Sequence, residues 1–123
     1  MDYKREIIYI GAVCPHVENE NMEKPNIFNL PELPLQEELT TILAENNNDR
    51  IVRIVSTGQV SEWYDQTETE FVVLLKGDAV IEYENGKTVT LSKGDTLLIK
   101  PHEKHRVSFT SNEPPCVWLC VFF

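Results

Sequence analysis

The chain changes rhythm near residue 50. From there to the C-terminus, apolar residues come in short runs broken by Gly, Pro, Asn and Asp. RIVRIVS (50–56), EFVVLLKG (70–77), AVIEYE (79–84), KTVTL (87–91), DTLLIK (95–100), HRVSFT (105–110) and CVWLCVFF (116–123) read as strands. Short strands at this spacing predict an all-β sandwich or barrel. Asn85-Gly86 predicts a hairpin with a type I′ turn, which needs positive φ at both central residues. Upstream, KREIIYIGAV (4–13) reads as a strand, and the polar stretch 15–26 as a linker with proline near both ends. In LPLQEELTTILAENNN (33–48), Leu35, Leu39, Ile42 and Leu43 recur at helical spacing. A short helix is therefore expected within 27–47, with Glu37 and Glu38 in its first turn and Asn46, Asn47 and Asn48 ending it. The division is an N-terminal strand and linker (1–25) and one β domain (26–123).

Two runs are apolar on both faces. EFVVLLKG sets Val72 and Leu74 against Phe71, Val73 and Leu75, and CVWLCVFF sets Trp118, Cys120 and Phe122 against Val117, Leu119, Val121 and Phe123. A strand with one wet face should alternate, so something must cover the second face. The N-terminal strand and the helix can cover part of it, and a homodimer is expected to cover the rest.

Composition narrows the function classes. A chain of 123 residues with 41% hydrophobic content is one globular domain. Its net charge of −9 and its lack of a basic stripe argue against nucleic acid as a partner. No apolar run is long enough to cross a bilayer, and EIIYIGAV has no cleavage site after it, so no membrane span or signal peptide is expected and the address is cytoplasmic. The three cysteines, Cys14, Cys116 and Cys120, form no C-x-x-C pair. That fits packed thiols in a reducing compartment better than disulfides or a zinc ribbon.

The chemistry concentrates in WYDQTETEFVVLLKG (63–77). Tyr64, Gln66 and Glu70 are evenly spaced, so on an unbroken strand they share one face. Buried polar groups need partners, which implies a metal, a ligand or a mutual network that includes His105. Plainer roles exist for each. Glu70 could pair with Arg53 or Lys76, His105 could be a core histidine bonded to Glu70, and Tyr64 could pack on Trp63 or Phe109. His102 could be an exposed loop residue, Glu68 could be solvated, and His16 lies in the linker.

Gly58-x5-Tyr64-x-Gln66-x3-Glu70-x6-Gly77 has the spacing of the first cupin motif, G-x5-H-x-H-x3,4-E-x6-G. Gly94-x5-Lys100-x-His102-x2-His105 has that of the second, G-x5-P-x-G-x2-H-x3-N, and the Asn-Gly hairpin falls between them. On these residues the chain resembles a small single-domain cupin. It is similar to a group of bacterial cupin-domain proteins with a Trp-Tyr-Asp-Gln element where others have two histidines. The resemblance implies a double-stranded β-helix, the cupin jelly-roll barrel, with a site in its wider mouth. It also implies one divalent metal, Fe, Mn, Ni or Zn, at Tyr64, Gln66, Glu70 and His105, two of which depart from the family's histidines. His102, at the family's glycine position, could turn inward and complete a two-histidine, one-carboxylate set with His105 and Glu70.

Three functions follow as expectations, all on a small organic molecule. One is a metal-dependent enzyme of dioxygenase, isomerase or decarboxylase type, with Tyr64 as general acid beside His105. The second is a metabolite-binding barrel without catalysis. The third is a metal-independent, epimerase-like enzyme with His105 as base and Tyr64 as acid.

Overall fold

The computed structural model describes residues 24–123 together with the backbone of one N-terminal strand. Among the described residues there are nine strands: β1 (Glu6–Tyr9), β2 (Leu39–Asn46), β3 (Asp49–Ser56), β4 (Glu70–Lys76), β5 (Ala79–Tyr83), β6 (Thr88–Leu91), β7 (Thr96–Ile99), β8 (His105–Thr110) and β9 (Cys116–Phe122). The fold is all-β, as the spacing of apolar runs requires. The strands from residue 49 onward fall where the pattern puts them, each end within a single residue. The rest of the expected N-terminal strand, and Cys14 and His16, lie outside the described residues.

The strands form a six-stranded sheet, in the order β1-β2-β3-β9-β4-β7, and a three-stranded sheet, in the order β6-β5-β8. Neighbours are antiparallel except β1 and β2, which are parallel. The two sheets close on each other as a jelly-roll barrel. Its core takes Val52 and Ile54 from β3, Val72 and Leu74 from β4, Ile81 from β5, and Trp118 and Cys120 from β9. Burying such side chains contributes about 1.5–3 kcal/mol each.

The expected helix is absent. Its C-terminal part is β2, and residues 27–38 hold no helix or strand. Leu39, Thr40, Thr41 and Ile42 are all buried, so the segment has no single apolar stripe to lay on a core. Three of the four are β-branched, which favours a pleated strand. The asparagines that were to end a helix instead turn β2 into β3: Asn46 pairs with Asp49 and Asn47 takes φ 50°. Asparagine tolerates that left-handed conformation.

The β5–β6 hairpin sits where Asn85-Gly86 predicts it, but its turn is not type I′. Among the described residues only Asn47 and His102 are non-glycine positions with positive φ, so Gly86 (φ 88°) adopts it and Asn85 does not. Gly86 N donates to Tyr83 O at 2.9 Å, and Tyr83 N donates to Lys87 O at 2.8 Å. This is a longer loop with the glycine in the left-handed place. Gly77 is constrained more severely: at φ 91° an added Cβ would lie 2.7 Å from Pro115 O and 2.9 Å from Cys116 Cα.

Register defines rows across the large sheet. One row, Arg50–Phe122–Glu70–Ile99, crosses β3, β9, β4 and β7 on the inner face. One residue along, Ile51–Val121–Phe71–Leu98 crosses the same strands on the outer face. Part of the outer face is covered by the segment before β2. Arg53, buried there, donates to Asn29 O at 2.9 Å and Ile27 O at 3.3 Å, and to Thr41 Oγ1 at 3.3 Å. Burial without a carboxylate in these contacts lowers its pKa from the usual guanidinium range. Among the described residues no helix is long and apolar enough to cross a membrane.

Candidate functional site

Tyr64 and Glu70 are not on one strand. β4 begins at Glu70, and the chain before it runs along β8 instead. Ser61 N donates to Val107 O at 2.9 Å, Tyr64 N to His105 O at 2.7 Å, and His105 N returns a bond to Tyr64 O at 3.0 Å. Tyr64 and His105 thus form an isolated antiparallel bridge. This ribbon extends the small sheet at its β8 edge and brings Tyr64 to the mouth from the side opposite Glu70. The cluster forms, by a wrap of the chain and not by strand parity.

At the mouth, Tyr64, Gln66, Glu70 and His105 share a cavity of about 80 Å³ with an apolar floor that includes Ile81 and Trp118. That is room for several waters or a small organic molecule. Glu70 is 8% and His105 3% exposed. Gln66 Nε2 donates to Glu70 Oε1 at 3.1 Å. His105 Nε2 lies 3.9 Å from the same oxygen, beyond a hydrogen bond and within reach of an ion pair. His105 Nδ1 lies 2.7 Å from Glu103 O. A carbonyl oxygen only accepts, so Nδ1 carries the proton and, in the neutral ring, Nε2 presents a lone pair toward Glu70. The Tyr64 ring lies 5.6 Å from the imidazole, centroid to centroid. Trp63 stacks under Arg106.

His102 does not join this cluster. It stands exposed at φ 62°, with Nδ1 2.8 Å from Asp65 Oδ1. Its backbone N donates to Gln66 O at 2.8 Å, so it ties its turn to the Gln66 segment without turning its ring inward. Arg53 faces outward and does not pair with Glu70. The expected solvated residue, Glu68, makes a bidentate pair with Arg50.

A cupin-domain sequence family matches residues 51–122. The chain belongs to the cupin superfamily. Crystal structures agree with that membership. A Ralstonia eutropha protein described as a "putative mannose-6-phosphate isomerase" is 33% identical over 82% of this chain and 97% of its own, with a TM-score of 0.76. A cupin superfamily protein of Desulfitobacterium hafniense (19% identical, 88% and 97% covered, TM-score 0.70) and an RmlC-like cupin of Desulfovibrio desulfuricans (16%, 82% and 94%, TM-score 0.64) share the fold. No curated protein gives a significant sequence match.

Cupins often hold a divalent metal, so the donors of this cupin must be weighed against one. Among the described residues no three His, Cys, Asp or Glu side chains assemble as a metal-holding group. Glu70 and His105 are the strong donors of the cluster, and Glu38, the other carboxylate lining the cavity, does not join them in a metal-holding group. Gln66 offers a neutral amide already engaged with Glu70, and Tyr64 a phenol that must first lose a proton. This donor set does not fit the family's metal.

Other residues of this cupin's mouth escaped the sequence, among them Glu38, which was expected in the first turn of a helix and lines the cavity. Arg50 lines the cavity with its guanidinium 4.1 Å above the Phe122 ring. Its inward parity with Val52 and Ile54 was the available signal. Tyr83, opposite His105 on β5, has its ring centroid 6.3 Å from the imidazole. Burial raises the pKa of its phenol, and the charges of Glu103 and Glu70 raise it further, so it remains a proton-bearing hydroxyl at neutral pH.

Proposed function

We propose that this cupin takes a small hydroxy-carbonyl compound into its mouth and isomerises it by proton transfer, without a metal. One observation carries this reading: the His105 ring, fixed through Nδ1 by the Glu103 carbonyl, aims Nε2 at the buried Glu70 carboxylate 3.9 Å away. His105 Nε2 removes a proton from the carbon beside the carbonyl. The C–H electron pair becomes the enediol double bond, and the carbonyl oxygen takes a proton from the Tyr64 hydroxyl. Glu70 stabilises the imidazolium so formed. The proton then returns to the neighbouring carbon, and the adjacent hydroxyl re-protonates Tyr64, so no oxidant or reductant is consumed. The size of the cavity supports a small substrate. The isomerase name of the Ralstonia relative supports the reaction class. Dioxygenase and decarboxylase readings depend on a metal set that these side chains do not supply.

The test is solvent deuterium incorporation, followed by proton NMR, across short hydroxy-aldehydes and hydroxy-ketones with and without a terminal phosphate. The wild type should exchange one carbon-bound proton at a rate unaffected by a chelator. His105→Asn should slow exchange about 100-fold or more. Exchange that stops with chelator and returns with Mn or Fe overturns the metal-free reading. Binding without exchange overturns the isomerase reading and leaves a ligand-binding barrel.

A further inference from the structure

The outer face of the large sheet carries a second feature, independent of the mouth. Ile51, Phe71 and Leu98 are 38%, 37% and 48% exposed, and they share one row with the half-buried Val121. Beside that row Leu119 and Val73 oppose each other, and Phe123, 57% exposed, pairs with Thr69. Elsewhere on the same face Leu39, Thr41, Arg53, Val55 and Val117 are buried, and two carbonyls of the segment before β2 cap Arg53. The half that the described residues leave exposed is as apolar as the half they cover. A monomer seldom leaves a contiguous apolar patch of this kind in water.

The charges at its corners indicate the occupant. Asp49 begins β3 and has the outward parity of Ile51, while Lys100 follows β7 with the outward parity of Leu98. Both are exposed. The four-strand patch therefore carries a negative charge at its β3 side and a positive charge at its β7 side. We infer that this face binds a second copy of the chain, about a two-fold axis that runs along the strands between β9 and β4. That rotation turns the β3 side of one copy onto the β7 side of the other. Ile51 then meets the partner's Leu98, Val121 meets the partner's Phe71, and Asp49 meets the partner's Lys100. The last contact occurs twice, as an isologous interface requires. The apolar centre supplies the affinity, and the two ion pairs fix the register.

Sedimentation of the full chain should give twice the chain mass, and Leu98→Glu should give a monomer. Asp49→Lys alone places two cations opposite each other at both corners, and Lys100→Asp alone places two anions there. Each should weaken self-association about tenfold or more. Mixing the two variants should restore it, because a heterodimer of the two regains both opposite-charge contacts. The substituted corners are exposed, so circular dichroism should be unchanged. A monomeric wild type at high concentration, whatever else covers the face, overturns the inference. So does a dimer indifferent to the charge reversals, or single variants that weaken without recovery on mixing.

Discussion

Two adjacent rows of the large sheet differ in an unexpected direction. The inner row, Arg50–Phe122–Glu70–Ile99, faces the barrel and holds a cation and a carboxylate. The outer row, Ile51–Val121–Phe71–Leu98, faces away and holds only apolar side chains. In a half-buried sheet the polarity runs the other way. Each row departs from simple core packing in its own way: the inner one lines a polar mouth, and the outer one leaves apolar side chains exposed. Deeper in the barrel the inner face is ordinary core again, with Val52–Cys120–Val72 in one row and Ile54–Trp118–Leu74 in the next.

The comparison breaks most visibly on truncation. Leu74→Ala, on the inner face at 0% exposure, should cost about 2–5 kcal/mol in urea denaturation. Phe71→Ala, three residues away on the outer face, should cost about 1 kcal/mol, with any larger loss dependent on protein concentration. Equal, concentration-independent losses would mean that the outer face is already covered within one chain.

A smaller effect comes from making the inner row resemble the outer one. Glu70→Leu removes a buried carboxylate that meets Gln66 and His105 among the described residues. Thermal unfolding should show a gain of about 1 kcal/mol, while deuterium exchange is lost. A large loss of stability would make Glu70 a structural member of the barrel and not a functional one.

The smallest effect sharpens the electrostatic contrast. Tyr83 faces the polar mouth, and its folded pKa is raised by burial, then by Glu103 and Glu70. A raised pKa favours the protonated phenol in the fold. Its stabilisation is complete below the unfolded value near 10 and is lost as pH rises from there through the folded pKa. Urea midpoints measured across alkaline pH should therefore fall more steeply for the wild type than for Tyr83→Phe. Identical slopes would remove Tyr83 from the charge field of the mouth.

The sequence determined a good deal by itself. Strands from residue 49 onward are short, strongly apolar and punctuated by turn residues, so their extent follows from local chemistry. The motif spacing marked Glu70 and His105, because glycine-bounded strands of fixed length bring those positions to one mouth. The doubly apolar strands β4 and β9 announced an outer face in need of cover. What lay beyond reach was set by tertiary contact. Leu39 to Ile42 carry helical spacing and β-branched residues at once, and only pairing with β3 decided for the strand. Tyr64 reaches the mouth through backbone bonds to β8, which no strand parity could foretell. His102 turns to Asp65 because the backbone of its turn is fixed on Gln66 O, and Arg50 enters the mouth because register places it across from Phe122. Local sequence encodes which residues extend and where they turn. Which side chains then meet depends on registers and wraps between segments far apart in the chain, and those energies exist only once the barrel has closed.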